Sequence, residues 1–267
     1  EFNNLDFNNK IFKDKEKEDD AEKPALKLIK SNKTIQEFVK AMVLCNDVQI
    51  KMEEENLVCV GDPTEVALVH CGYVFDAGKD LYEGKYQRVG EVPFDSERKM
   101  MSTINLVDGQ RYVYTKGALD SVIERCNRVY DNGKIRKLTS ADKETILNKN
   151  QELASMALRV LAFAFKKGKE EIKHYTSQNT ENDLVFVGLI GMIDPPRKEV
   201  AEAIKTCKEA GIDVVMITGD HKDTAFAIAK ELGICNNKKH VITGEQLNKI
   251  PDEKFASFVS DYKVYAR

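Results

Sequence analysis

The pattern of apolar and polar positions predicts a β-hairpin over residues 92–119, where two β-prone runs flank the dipeptide Asp108-Gly109. Asp-Gly favours a two-residue turn here, because such a turn needs positive φ at both central positions. The turn sets the register and pairs Met101 with Lys116. Continued by two residues, the same register places Lys99 and Lys116 diagonally on one face, with β-carbons about 7–8 Å apart.

Two lysines and an aromatic ring make this hairpin a candidate anion site. Two ammonium groups this close repel each other, and an anion between them relieves the repulsion. Phe94 lies just upstream, so a flat base could stack on its ring while phosphates meet Lys99 and Lys116. The alternative is a solvated strand edge whose lysines oppose aggregation, and spacing alone favours that alternative.

Helical periodicity precedes the hairpin. Apolar residues recur at helical spacing from Thr34, and Thr34 with Glu37 predicts a capping box. The stretch Gly61-Asp62-Pro63-Thr64-Glu65 begins a second helix, with Asp62 as N-cap and proline at the first helical position. From the residues alone Glu65 is more simply a helix cap than a site residue, because caps are far commoner than sites.

The chain changes character at the stiff connector Asp194-Pro195-Pro196-Arg197, which we take as the boundary between domains at 1–193 and 194–267. Helices and short strands alternate beyond it, which is typical of a parallel α/β sheet. Ligands of such sheets gather at the carboxyl ends of strands, where Thr218-Gly219-Asp220 precedes a helix. An ordinary turn capped by Asp220 is the competing interpretation.

Composition narrows the class of protein. The chain has 267 residues, and its net charge of -3 argues against bulk binding to nucleic acid. Six cysteines without C-x-x-C spacing indicate reduced thiols, and four dispersed histidines argue against a zinc site. The alternating charges of residues 13–20 suggest no chemistry. No apolar run reaches the ~20 residues of a spanning helix, and no P-loop motif occurs.

Six stretches together resemble the P-type cation-transporting ATPases, most closely the calcium-pump-like subgroup. They follow one another in that family's order from about Thr34 onward. The six are Gly61-Asp62-Pro63-Thr64-Glu65, Pro93-Phe94-Asp95-Ser96-Glu97-Arg98-Lys99, Thr115-Lys116-Gly117-Ala118, Leu158-Arg159-Val160-Leu161, Met192-Ile193-Asp194-Pro195-Pro196-Arg197 and Met216-Ile217-Thr218-Gly219-Asp220.

The resemblance implies a fold of the α/β class. An α+β nucleotide-binding domain with an antiparallel sheet would be followed by part of a parallel, haloacid-dehalogenase-like phosphorylation domain. It also implies that Phe94 stacks on adenine and that Glu65 meets the amino group of the base. Lys99, Lys116 and Gly117 would line the pocket. Arg159, the one charge in a predicted strand from 159 to 165 and otherwise a salt-bridge partner, would reach the phosphates.

The phosphate side follows from the same resemblance. Thr218, Gly219 and Asp220 would approach the γ-phosphate and Mg²⁺, with Arg267 as a phosphate-side arginine. No complete metal site is expected within the chain itself. Asp194 and Arg197 would form the hinge. Some family members have an arginine at the position of Ser96, and Arg98 is the expected substitute.

Two family elements are expected outside this chain, which begins at Glu1 without an initiator methionine. The D-K-T-G-T loop, whose aspartate is phosphorylated, would precede residue 1, and the G-D-G-x-N-D loop would follow Arg267. The chain would then be a soluble cytoplasmic piece of an integral membrane protein, binding ATP or ADP without turning it over. The whole pump, with its transmembrane and actuator domains, would couple ATP hydrolysis to cation transport through an aspartyl-phosphate, with Ca²⁺ favoured.

Two alternatives remain open from the sequence. A haloacid-dehalogenase-type phosphatase would use Thr218-Gly219-Asp220, although it also needs a D-x-D or D-x-x-x-T loop near the N-terminus, and none is found. A non-catalytic regulatory domain would keep the pump scaffold without binding nucleotide. Nucleotide-dependent stability and phosphate release distinguish these possibilities.

Overall fold

The computed structural model describes residues 10–11, 29–53, 56–156, 158–168, 174–193, 196–220 and 222–267. The charged run at 13–20 and the connector residues Asp194 and Pro195 lie outside the described residues. Contacts divide the chain into two units, residues 1–144 with 161–190, and residues 145–160 with 191–267. The domain boundary at residue 194 therefore stays a prediction.

The chain contains both strands and helices. The described strands are β1 (Lys10–Ile11), β2 (Gln49–Glu53), β3 (Asn56–Val60), β4 (Arg88–Asp95), β5 (Met100–Val107), β6 (Gln110–Gly117), β7 (Cys126–Asp131), β8 (Lys134–Lys137), β9 (Arg159–Lys167), β10 (Leu184–Met192), β11 (Met216–Ile217), β12 (Val241–Thr243) and β13 (Val264–Ala266). The described α-helices are α1 (Lys33–Leu44), α2 (Pro63–Val74), α3 (Lys79–Lys85), α4 (Leu119–Glu124), α5 (Ser140–Ser155), α6 (Ser177–Thr180), α7 (Lys198–Glu209), α8 (Lys222–Glu231), α9 (Gly244–Leu247) and α10 (Asp252–Val259). A 3₁₀ turn, Lys238–His240, precedes β12.

The first unit is built on a seven-stranded sheet in the order β4-β5-β6-β9-β10-β7-β8, beside a small sheet in the order β1-β3-β2. β4, β5, β6 and β9 pair in antiparallel fashion, whereas β7 and β10 pair in parallel, so the large sheet is mixed. The second unit has a parallel sheet in the order β11-β13-β12. The predicted α/β class is confirmed.

The predicted hairpin is confirmed in its turn and its register. Asp108 and Gly109 have φ values of 50° and 77°. Met101 pairs with Lys116 across β5 and β6. Side chains on both faces of β5 are buried, so a shift by one residue would exchange two differently packed faces, and this packing secures the register.

The capping box predicted from Thr34 and Glu37 is wrong. Asn32 is the N-cap of α1, and its side chain accepts hydrogen bonds from the backbone amides of Thr34 and Ile35 at 2.9 and 3.2 Å. Thr34 Oγ1 instead accepts from the Asn132 amide at 2.9 Å. Asparagine ranks at least as high as threonine at this position, and the structure uses the earlier residue.

A compact apolar cluster supports the second unit's parallel sheet. Small residues on α8 let that helix approach the sheet closely. The cluster's buried members are Ala225, Ala229, Cys235, Val241, Val264 and Ala266. This arrangement leaves the carboxyl ends of β11 and β13 side by side.

Candidate functional site

A buried ion pair joins the hairpin to the helix that Asp62 caps. Lys116 lies near the end of β6 and Glu65 in the first turn of α2, and Lys116 Nζ donates to Glu65 Oε1. The two side chains are 7% and 13% exposed. Charges this buried need partners, because each has given up most of the hydration that water would supply.

The backbone that follows α1 holds the other carboxylate oxygen of Glu65. The Asp47 amide donates to Glu65 Oε2 at 2.9 Å, and Asn46 Nδ2 donates to the Glu65 carbonyl at 3.0 Å. Asn46 is buried, and its carbonyl accepts from the buried Lys79 ammonium at 2.7 Å. The capping role itself is filled by Asp62, which accepts from the amide two residues later. Glu65 is therefore held on both oxygens and does more than cap a helix.

Gly117 lets two strands approach closely beside Lys116. A β-carbon at this position would lie 2.4 Å from the Lys99 carbonyl oxygen and 2.6 Å from Met100 Cβ. Neither atom is the end of a flexible side chain, so any larger residue would force the backbone apart. Glycine is thus required next to the buried lysine for a steric reason.

Phe94 lies at a bulge in the edge strand of the same sheet. The register between β4 and β5 shifts so that Pro93 and Phe94 together oppose Met101. Met101 pairs on its other side with Lys116, which puts Phe94 two strand spacings, about 9–10 Å, from Lys116 across the sheet. The Phe94 side chain is 62% exposed. The Phe94 ring is therefore exposed on the same sheet as the buried ion pair, and a planar ligand can stack on it.

Lys99 lies just outside the hairpin strand, although the Ala118 amide still donates to the Lys99 carbonyl at 3.0 Å, as the predicted register requires. β5 begins one residue later, and Lys99 has a φ of 53°, in the left-handed region. Its ammonium donates to Asp120 Oδ2 at 3.0 Å, and this hydrogen bond lowers the pKa of the Asp120 carboxyl. Each of the two lysines therefore has its own carboxylate, Asp120 for Lys99 and Glu65 for Lys116.

Arg98, the expected substitute for an arginine at the position of Ser96, is held by contacts within the first unit. Its guanidinium donates to the carboxylate of Glu181 and, through Nη2, to the Pro93 carbonyl at 2.8 Å. The side chain is 21% exposed. Both ends of its planar fork are thus committed within the protein.

The second unit places Thr218 and Arg267 at neighbouring strand ends. The Thr218 amide donates to the Tyr265 carbonyl at 2.9 Å, and Thr218 Oγ1 donates to Asp220 Oδ2 at 2.8 Å. The Arg267 amide donates to the Asp220 carbonyl at 2.9 Å. Gly219 is exposed, and a β-carbon there would meet nothing within 4 Å. The turn therefore lies at the carboxyl end of a parallel strand, as the sequence predicted.

A protein-family model shows which family this chain is related to. The model described as "P-type ATPase, cytoplasmic domain N" matches residues 34–199, a range that includes Glu65, Phe94 and Lys116. The chain belongs to the P-type ATPase family. The resemblance found from the six motifs is confirmed.

Curated P-type ATPases from several organisms share much of this sequence. The chain is 48% identical over 235 residues to calcium-transporting ATPase 1 of Bacillus cereus, a match that covers 86% of this chain and 25% of that protein. It is 43% identical over 234 residues to calcium-transporting ATPase 1 of Lactococcus lactis, covering 86% and 26%. A calcium-transporting ATPase of Bacillus subtilis is 39% identical over 243 residues, covering 90% and 27%. The chain spans about a quarter of the length of these P-type ATPases.

Of the other residues named from the P-type ATPase motifs, the structure describes Arg197 and Arg159 but not Asp194. Arg197 is exposed and immediately precedes α7, whereas Asp194 lies outside the described residues. Arg159 is the exposed first residue of β9 and belongs to the second unit by contacts. Within the described ranges no three histidine, cysteine or acidic side chains are grouped so that they could hold a metal ion. No helix among these residues is both long and apolar enough to cross a membrane.

Sequence reasoning missed Asn46 and Glu181. Both are buried polar residues whose partners are distant in the chain, 19 residues away for Asn46 and 83 for the pairing of Glu181 with Arg98. No local spacing reveals a contact of that kind. A buried charge is visible only after the surrounding strands and helices are in place.

Proposed function

We propose that the first unit binds ATP or ADP, with adenine stacked on Phe94. The observation that carries the proposal is the exposed Phe94 ring two strands away from the buried Glu65–Lys116 pair. A base on the ring gains stacking energy, and the Glu65 carboxylate, which accepts but cannot donate, suits the amino group of adenine. The ion pair thus provides two groups near the base: Glu65 as a hydrogen-bond acceptor and Lys116 as a positive charge.

The phosphates extend from this pocket toward cationic side chains. Lys99 is half-exposed at the end of its turn, so its ammonium can exchange the surface contact with Asp120 for a phosphate at little cost. Arg159 is the second cation proposed for the phosphates, since its planar guanidinium matches phosphate oxygens. Gly117 allows the close approach of the strands beside Lys116, because a β-carbon there would lie 2.4 Å from the Lys99 carbonyl oxygen.

The turn of the second unit is proposed to bind a phosphate group together with Mg²⁺. Thr218 supplies a hydroxyl, Gly219 an open backbone position, Asp220 a carboxylate and Arg267 a positive charge. Mg²⁺ prefers carboxylate and phosphate oxygens, so Asp220 fits a magnesium ion that arrives with the nucleotide. When bound, that ion would neutralise phosphate charge.

The parent protein is proposed to be a pump. Its P-type ATPase relatives include the calcium-transporting ATPases of Bacillus cereus and Lactococcus lactis, which favours ATP-driven transport of Ca²⁺ through an aspartyl-phosphate. Asp194 and Arg197 would then lie at the hinge between two cytoplasmic domains, with actuator and transmembrane domains supplied elsewhere. The sequence D-K-T-G-T does not occur in residues 1–267, so we expect this chain to bind nucleotide without turnover.

Titration with ATP tests the proposal. Phe94→Ala should weaken binding by ~1–3 kcal/mol, the contribution of one base–aromatic stack. Phe258→Ala is the matched control, because Phe258 is also a partly exposed phenylalanine but lies on α10 in the second unit. Calorimetry, or chemical shifts of a labelled chain, measures both. Equal affinity of wild type and Phe94→Ala would refute the pocket.

Two further readouts address the alternative functions. Release of phosphate from a generic aryl phosphate would favour a phosphatase built around Thr218 and Asp220. A melting temperature unchanged at millimolar ATP would favour a non-catalytic domain, because a ligand that binds only the folded state must raise its stability.

A further inference from the structure

A fully buried carboxylate lies behind the proposed nucleotide pocket. Glu181 follows α6, has no exposed surface, and Glu181 Oε1 accepts from the Ser102 hydroxyl at 3.0 Å. Ser102 Oγ is also 2.8 Å from Thr115 Oγ1, so the hydroxyls of β5 and β6 and the carboxylate form one buried network. Ser102 is next to Met101 on β5, and successive side chains of a strand face opposite sides, so this network lies on the face away from Lys116.

One arginine connects this carboxylate to the backbone that carries Phe94. Arg98 Nη1 donates to Glu181 Oε2, and Arg98 Nη2 donates to the Pro93 carbonyl at 2.8 Å. Pro93 has no amide hydrogen to pair with β5, and it lies in the bulge immediately before Phe94. The guanidinium therefore supplies a hydrogen bond at the point where the regular ladder is interrupted.

The end of the turn between β4 and β5 is tied to the residue that follows β6, because the Ala118 amide donates to the Lys99 carbonyl at 3.0 Å. Asp95 Oδ1 accepts from the amides of Glu97 and Arg98, and the Asp95 carbonyl accepts from the Lys99 amide at 2.7 Å. The Asp95 bonds shape the turn itself. Arg98 joins the Phe94 side of the turn to Glu181, whose backbone is held independently of Ser102, because the Glu181 carbonyl accepts from Arg125 Nη1 at 3.0 Å.

We propose that Glu181 is a positioning residue for nucleotide binding, and that it acts through Arg98 to set the place of the Phe94 ring. The inference rests on the proposed function and goes beyond it, because Glu181 itself touches no nucleotide. Glu181 gives the guanidinium of Arg98 a charged acceptor in a buried site. A glutamine amide there is neutral, so it would hold the guanidinium less strongly.

The experiment compares ATP affinity in Glu181→Gln and wild type. The loss should lie within the roughly 5- to 150-fold that one stacked base supplies, because a misplaced ring can lose no more than its stacking. Combined with Phe94→Ala, Glu181→Gln should cause no further loss, since the ring it positions is gone. Amide resonances of residues 94–99 should shift in the nucleotide-free variant.

Ser102→Ala is the matched control. It removes one hydrogen bond from the same buried carboxylate but leaves the contact with Arg98, so stability should fall while ATP affinity stays unchanged. Arg98→Lys is the second variant, because lysine keeps the charge but cannot hold Glu181 and Pro93 together. It should reproduce the affinity loss of Glu181→Gln even if that variant folds poorly.

Three outcomes separate the possible failures. If the wild type does not bind ATP, or if Phe94→Ala binds ATP as well as the wild type, both the proposed function and the positioning role of Glu181 are wrong. Normal affinity in Glu181→Gln and Arg98→Lys, with Phe94→Ala still impaired, would overturn the positioning role alone. Fully additive losses in the double variant would also overturn it, because they would show that Glu181 acts independently of the ring.

Discussion

Lys116→Met tests whether the ion pair under the pocket is as buried as the structure shows. Methionine keeps most of the length and volume of lysine but removes the charge, so Glu65 loses the partner of its Oε1 atom. Removing one member of a buried pair costs ~3–5 kcal/mol, because the remaining charge has neither water nor a partner. Glu65 retains the amide of Asp47 at 2.9 Å, and 13% of its side chain meets solvent. We therefore expect a loss at the lower end, about 2–3 kcal/mol.

Urea unfolding measures this loss, and its midpoint should fall without a change in slope. In a thermal scan the same loss corresponds to about 5–10 °C for a unit of this size. ATP affinity should also fall, since the lysine lines the proposed pocket. Lys99→Met is the matched control, because the Lys99 side chain is 56% exposed and its surface pair should contribute less than about 1 kcal/mol.

The double variant Glu65→Gln/Lys116→Met provides the sharper test. Replacing a buried ion pair with neutral groups is often nearly neutral, so stability should recover to within about 1 kcal/mol of wild type. Glutamine can still accept from the Asp47 amide. A Lys116→Met variant as stable as wild type, or a double variant no better than Lys116→Met alone, would show that the pair is solvated and that this reasoning is wrong.

Two further predictions concern single sites. Gly117→Ala should destabilise the first unit by about 1–3 kcal/mol and weaken ATP binding, because its β-carbon would lie 2.4 Å from the Lys99 carbonyl oxygen; an unchanged urea midpoint would contradict the close approach. Burial lowers the pKa of His70 from its ordinary value, so the folded state resists protonation more than the unfolded chain does. The stability of wild type should therefore fall as pH drops below about 6.5, and His70→Gln should flatten that part of the profile in urea unfolding measured from pH 7.5 to 5.5. Identical profiles for the two proteins would contradict this assignment.

Local rules succeeded where a few adjacent residues decide the conformation. Asp108-Gly109 specified the hairpin turn because positive φ is tolerated there, and the turn length then set the pairing of Met101 with Lys116. Asp62 followed by proline specified the start of α2 for similarly local reasons. Those signals were enough to predict the hairpin and the helix that carry the candidate site.

The same rules failed where a residue had two local options. Thr34 and Asn32 are both good caps, and the structure uses Asn32, while the Thr34 hydroxyl accepts from the distant Asn132 amide. Lys99 continues the strand pattern in the sequence, yet the turn that begins at Asp95 ends at this residue with positive φ. Local pattern cannot choose between such options, because their energies differ by less than the tertiary contacts that follow.

The sequence by itself determined the hairpin with its register, the start of α2 and, through six ordered motifs, the relationship to P-type ATPases. Tertiary structure decided which charges pair. It joined Glu65 to Lys116 from 51 residues away and Glu181 to Arg98 from 83 residues away. A buried charge is costly unless it is paired with an opposite charge, and the fold can supply that partner from any part of the chain. A local sequence pattern covers only neighbouring residues and therefore does not predict such pairs.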